Sequence, residues 1–110
     1  MKTMLVYVTT SSPDEARRIG QILVEKRLAA CVNILAPIQS IYRWQDKIQS
    51  EPETPFIAKT TEESFDQLEQ EVRANHSYSN PCIVGLPIVK GSLAFLQWII
   101  QETGPRGASA

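Results

Sequence analysis

A single histidine, two cysteines and five glycines are all that this 110-residue chain offers of the residue types that most often announce a site. Cys31 and Cys82 lie far apart in apolar segments, so they cannot form a disulfide framework and predict reduced thiols in a reducing compartment. There is no C-x-x-C pair. The loop after the first apolar run reads Thr9-Thr10-Ser11-Ser12, which excludes a soft-metal carrier that grips its ion between two thiolates there. The same loop holds no glycine, and no base before Arg17, so it cannot cradle a phosphate on backbone amides. Phe56-Ile57-Ala58-Lys59 lacks the glycine and aromatic alternation on which RNA bases stack. Charge of one sign is also missing: Lys and Arg total 11 against 12 for Asp and Glu, interleaved along the chain, which argues against nucleic acid or an anionic membrane as partner. The N-terminal apolar run from Met4 to Val8 is too short for a signal-peptide core or a membrane span, and the expected location is cytoplasmic.

What is present is dense β-forming sequence in the middle of the chain. Cys31 to Leu35, then Ser40-Ile41-Tyr42-Arg43-Trp44, are rich in β-branched and aromatic residues and predict the first limb of a long hairpin. Lys47-Ile48 through Phe56 to Thr60 predicts the returning limb, with the turn at Gln45-Asp46-Lys47, where Asp tolerates a left-handed conformation. Pro37, Pro52 and Pro55 cannot donate to a ladder, so each must stand at a bulge or an edge, and the hairpin should bend. Before it, Met4 to Thr9 reads as a central strand. Ser12, Pro13 and Glu15 then mark a helix start by N-cap, first-turn proline and capping box, with an apolar side through Ala16, Ile19 and Leu23 as far as about Leu28. After it, Thr60 to Glu63 predicts the cap of a second helix with Phe65, Leu68 and Val72 inward, ending near Asn75. Cys82 to Val89 reads as the last strand, and Ser92 opens a final helix with Leu93, Leu96, Ile99 and Ile100 on one side.

Strand, helix, hairpin, helix, strand, helix predicts an α+β fold: a ferredoxin-like split βαβ sandwich (βαββαβ) with an added C-terminal helix. Residues 1–103 should form one domain, and 104–110, mixing Gly, Pro, Ser and Ala, a disordered tail. Two helices cover one face of such a sheet, yet the strands are apolar toward both faces, which predicts self-association.

The candidate functional residues are Cys31, Tyr42, Arg43, Trp44, Lys59, His76, Tyr78 and Cys82. Each has a plain reading beside the chemical one. Both cysteines suit small core positions. His76 suits capping of helix-end carbonyls. Tyr42 and Trp44 suit burial at an interface, and Lys59 suits a snorkelling side chain. His76 with Cys82 six residues on is no established zinc spacing, so a metal held by these two needs further ligands from elsewhere.

Leu28-Ala29-Ala30-Cys31-Val32-Asn33-Ile34, Ser40-Ile41-Tyr42-Arg43-Trp44-Gln45-Asp46-Lys47-Ile48, Lys59-Thr60-Thr61, His76-Ser77-Tyr78 and Leu86-Pro87-Ile88 together resemble, in order and spacing, the CutA family of small trimeric proteins linked to divalent-cation tolerance. The resemblance spans nearly the whole chain. It implies a ferredoxin-like homotrimer with a cleft at each subunit interface, acting in metal-ion response by weak binding of copper or zinc rather than by turnover. It carries His76 over as a metal ligand, sets Cys82 where many members have glutamate, and places Cys31, Tyr42, Trp44, Lys59 and Tyr78 among cleft-lining positions. The chain departs from the family pattern at Asp46, where a turn glycine is usual, at Ser79, where an acidic residue is common, and at Thr10, where copper-binding members carry cysteine. Rival readings are an enzyme or small-ligand sensor at the intersubunit cleft, with Lys59 or Cys31 activated by burial and His76 as base, or a structural anchoring subunit.

Overall fold

A computed structural model describes residues 1–105. Five strands and three α-helices follow in chain order: β1 Thr3–Thr10, α1 Pro13–Glu25, β2 Cys31–Ile34, β3 Ile38–Trp44, β4 Lys47–Thr61, α2 Phe65–Asn75, β5 Ile83–Pro87 and α3 Leu93–Glu102, with a 3₁₀ turn at Glu62–Ser64 leading into α2. The sheet runs β2-β4-β1-β5, all antiparallel, and β3 pairs with the outer half of β4. This is the α+β ferredoxin-like arrangement that the order of elements predicts, with α3 added. Residues 106–110, the greater part of the expected tail, lie outside the described residues.

The core forms where the alternation of the strands meets the helical stripe. Val6 and Val8 of β1 and Phe56 and Ala58 of β4 face Ala16, Ile19 and Leu23 of α1 and Leu68 and Val72 of α2. Burying a Leu- or Phe-sized side chain of this kind contributes roughly 1.5–3 kcal/mol.

Helix α1 begins as the sequence predicts, with Pro13 in the first turn and the Ser12 hydroxyl accepting from the Glu15 N–H at 3.1 Å. The reciprocal half of the capping box is displaced by one residue: the Glu15 carboxylate accepts from the N–H of Ser11, not of Ser12. The helix stops at Glu25 rather than near Leu28. Arg27 takes a left-handed conformation (φ 58°), its N–H donates to the Val24 carbonyl and that of Leu28 to the Leu23 carbonyl, which is a Schellman ending with the buried pair Leu23 and Leu28 as its apolar clasp. The predicted cap at Thr60 to Glu63 gives way to the 3₁₀ turn, and neither Thr61 nor Ser64 caps by its side chain. Of the predicted α3 stripe only Ile99 is buried, while Leu93 is 71% exposed. Helix α3 therefore packs by a narrow contact on the sheet face opposite α1 and α2, where the Phe95 ring lies beneath the Lys59 ammonium.

The prolines explain how the hairpin is bent. Gln45 and Asp46 (φ 50° and 63°) form its two-residue turn, both in the left-handed region that a type I′ connection requires. Ile34 stands opposite Phe56, but Ile38 opposite Glu53: four steps along one strand face three along the other, so the Leu35-Ala36-Pro37 break inserts one extra residue. The Pro55 carbonyl accepts from Leu35 N–H, so the side on which Pro55 lacks a donor faces this break rather than β1. Pro52 lies beyond the end of β1, which pairs only as far as Thr54, and its missing donor falls on the unpaired edge. The extra residue also inverts the alternation. Odd-numbered residues of β2 share a sheet face with odd-numbered residues of β4, whereas in β3 the even-numbered ones do, which puts Ser40, Tyr42 and Trp44 on the same face as Glu51 and Glu53.

Candidate binding site at the base of the hairpin

That inversion builds a cavity of about 640 Å³ on the sheet face away from α1 and α2. Its floor is the end of β1, where Tyr7 and Thr9 point to this face because Val6 and Val8 point into the core. One wall is the bent hairpin, with Ser40, Tyr42, Trp44 and Glu53, and the other is the loop into β5, with Tyr78 to Asn80 and Cys82. Ile41 and Arg43 also line it, but by register their side chains belong to the reverse side of the ribbon.

Glu53 is the electrostatic centre. It is half-buried, makes no ion pair among the described residues, and bears on Tyr7, Tyr42, Tyr78 and Cys82. Burial first, and then the Glu53 carboxylate, push the Tyr78 phenol far above its ordinary range. Burial raises Tyr7, and the thiolate that Cys82 forms in base and the Glu53 carboxylate add to it. Desolvation and the Glu51 and Glu53 carboxylates raise Tyr42. Burial and Glu53 raise the Cys82 thiol, against a hydrogen bond with Thr9 that opposes the shift, so Cys82 is a protonated thiol at neutral pH.

His76 stands behind this wall. Its Nε2–H donates to the Thr9 carbonyl at 2.8 Å, its Nδ1 accepts from Tyr78 N–H at 3.0 Å, and its ring packs against that of Tyr78 with centroids 4.8 Å apart. Both nitrogens of the neutral ring are thus engaged, and the ring fixes the position of Tyr78 relative to β1. The loop is pinned a second time by Glu15: one carboxylate oxygen accepts from Ser77 N–H at 2.8 Å and the other from Ser77 Oγ at 3.1 Å, while Ser11 donates its N–H and hydroxyl. Burial alone would raise the Glu15 carboxyl, but these bonds outweigh it and hold it below the usual range.

Of the residues singled out in the sequence, Tyr42, Arg43, Trp44, Tyr78 and Cys82 line the cavity and His76 supports it. Cys31 and Lys59 do not line it. They face each other across β2 and β4, where Lys59 Nζ donates to Asn33 Oδ1 at 2.8 Å and sits 5.4 Å from the centre of the Phe95 ring. Tyr7, Glu53 and Glu15 were missed. Counting back by twos from Lys59 along β4 reaches Glu53 and would have placed it on this face. Glu15 gave no signal beyond its helix cap, because its partner Ser77 is 62 residues away. No group of three or more His, Cys, Asp or Glu side chains able to hold a metal ion occurs among the described residues.

The CutA1 divalent ion tolerance protein family model matches residues 4–102, which covers the elements described above apart from Thr3 at the start of β1. The chain belongs to the CutA1 family. Among its CutA relatives, the divalent-cation tolerance protein CutA of Archaeoglobus fulgidus is 48% identical over 94 residues, 86% of this chain and 91% of that protein. The protein named CutA 1, chloroplastic, of Oryza sativa subsp. japonica is 39% identical over 101 residues; the match covers 92% of this chain and 57% of that longer protein. The solved structure of the divalent cation tolerance protein CutA1 of Thermus thermophilus superposes with a TM-score of 0.91 at 43% identity, covering 93% of this chain and 99% of that one. The match to CutA1 structures agrees with the fold that the sequence predicts.

Proposed function

We propose that this CutA1 protein is a cytoplasmic homotrimer of divalent metal-ion tolerance that binds copper or zinc weakly at the cavity rim and turns nothing over. The observation that carries the reading is the junction of Cys82 and Glu53 at one cavity in a chain whose family is named for divalent-cation tolerance. A thiol beside a carboxylate offers a borderline-soft pair that suits copper or zinc better than magnesium or calcium. His76 is the third donor of the proposal. To serve, it must give up either its bond to the Thr9 carbonyl or the one it accepts from Tyr78 N–H, and a site that must first break such a bond is weak. With too few donors in one chain for a closed site, a second copy or water completes the coordination.

Assembly is supported by what the open sheet face exposes. Val84 and Leu86 of β5 are 48% and 53% exposed and continue into the exposed Phe95 and Trp98 of α3, while Ile41 and Ile48 stand out on the hairpin. Three copies covering this face would also bring the cleft residues Cys31 and Lys59 of one subunit toward a neighbour. A cytoplasmic location is supported by the two free cysteines, and no helix among the described residues is long and apolar enough to cross a membrane. Calorimetric titration of copper and of zinc into the wild type, His76→Ala and Cys82→Ser tests the metal reading. The wild type is expected to bind with affinity that falls as pH falls, because the Cys82 proton must leave, and each variant is expected to bind more weakly. Equal affinity in all three overturns it.

A further inference from the structure

Four aromatic rings and one carboxylate share the lining of the cavity, and that chemistry suits a different cation from a transition metal. Tyr7, Tyr42, Trp44 and Tyr78 reach it from three separate elements, β1, β3 and the loop into β5. Such rings present negative faces that attract a diffuse positive charge, and they supply no lone pair of metal-ligand strength at neutral pH. Glu53 adds a full negative charge on the same side. Its register neighbour Glu51 shares that side through Ser40, and neither carboxylate is paired with a Lys, Arg or His among the described residues. Arg43 also lines the cavity, and Lys47, opposite Trp44, shares the Glu51 and Glu53 side of the ribbon by register, but neither forms an ion pair with either carboxylate. A half-buried carboxylate ringed by phenols and held in no ion pair favours a cationic ligand over an anionic one. The cavity is also far larger than a bare metal ion needs, and falls in the range of small organic ligands.

We propose that this cavity binds a small organic ammonium ion, its charge held by Glu53 and its alkyl groups packed against Tyr7, Tyr42, Trp44 and Tyr78. The inference does not rest on the metal reading, because a quaternary ammonium accepts no lone pair and needs neither the Cys82 thiolate nor His76. It makes the cavity a receptor for cationic metabolites such as alkylated amines, with the aromatic hairpin as its wall.

The test uses choline and its uncharged carbon isostere 3,3-dimethylbutan-1-ol, which match in shape and differ in charge. Each is titrated calorimetrically into the full-length protein at neutral pH, with EDTA present so that no metal contributes. Choline is expected to bind saturably and at least tenfold more tightly than the alcohol. Glu53→Gln is expected to reduce choline affinity about tenfold while leaving the alcohol unchanged, a loss consistent with one charge contact in a partly desolvated site. Tyr42→Leu, which keeps the apolar bulk and removes the ring, is expected to weaken choline several-fold, and circular dichroism checks that both variants are folded. Choline binding is expected to be the same with and without EDTA, which separates the failure of this reading from the failure of the metal one. Equal binding of choline and the alcohol, no saturable binding of choline, or an undiminished affinity in a folded Glu53→Gln protein each overturn the proposal.

Discussion

Glu15, in the first turn of α1, accepts the backbone N–H of Ser77 at 2.8 Å and so ties the start of the first helix to the loop that enters the last strand. The bond joins the two ends of the fold at the wall of the cavity. Its carboxylate takes four neutral donors in all, two from Ser11 and two from Ser77, and is 6% exposed.

Replacing Glu15 by Gln turns one acceptor into a donor that faces other donors, and should cost about 1–3 kcal/mol. The pH dependence follows from the direction of its shift. Because the folded-state value lies below the unfolded one, the contribution is full above the ordinary glutamate range and is lost as pH falls through that range toward the lowered value. Urea unfolding of both proteins at neutral pH and in acid measures this: the gap between wild type and Glu15→Gln should be widest near neutrality and narrow in acid. A gap that is constant with pH would rule out the carboxylate as its source.

Gly20 of α1 lies against Val32 of β2 so closely that an added Cβ would stand 3.0 Å from Val32 Cγ1. A β-branched side chain there must push helix and strand apart. Gly20→Val is therefore expected to destabilise the protein by about 1–3 kcal/mol despite the better helix propensity of valine. Thermal unfolding of Gly20→Val beside the double variant Gly20→Val/Val32→Ala checks the cause, since shortening Val32 should restore part of the loss.

Gly104 donates its N–H to the Arg27 carbonyl at 2.8 Å, and its carbonyl accepts from Arg27 Nε at 2.8 Å. Arg27 also donates from Nη2 to the Gln101 carbonyl at 2.7 Å, closing the end of α3. Truncation after Gly104 should leave the melting temperature within a degree or two of the full chain. Truncation after Glu102 should lower it clearly, because it removes these contacts with Gly104 and the bond from Thr103 Oγ1 to Ile99. Differential scanning calorimetry of the two truncated proteins tests whether Gly104 acts as a latch.

Light scattering is expected to return three times the 12.3 kDa chain mass at micromolar concentration. Leu86→Asp, which places a charge on the exposed β5 face, should shift the protein toward the monomer because an unpaired charge is costly to bury. A monomer mass for the wild type would overturn the trimer.

The amino-acid sequence by itself determined the elements that local chemistry controls. Ser12, Pro13 and Glu15 mark where α1 starts, Gln45 and Asp46 supply the turn, and the alternation through Val6, Val8, Phe56 and Ala58 names the inner face of the sheet. It also held the strings that resemble CutA, and with them Tyr42, Trp44 and Tyr78 of the cavity. Where α1 stops was less legible, because Arg27 occupies a position usually marked by glycine, and the apolar clasp of Leu23 and Leu28 compensates for a strain that no sequence rule locates. The site itself belongs to the tertiary structure. One extra residue at Leu35 to Pro37 changes which alternate side chains of β3 face the cavity, and that single step decides that Tyr42 and Trp44 join Glu53 while Lys59 and Cys31 stay with Asn33. Side-chain alternation is local, but the register between distant strands is fixed only when the whole sheet packs on its helices, so only the fold could bring Tyr7, Glu53 and Tyr78 to one place.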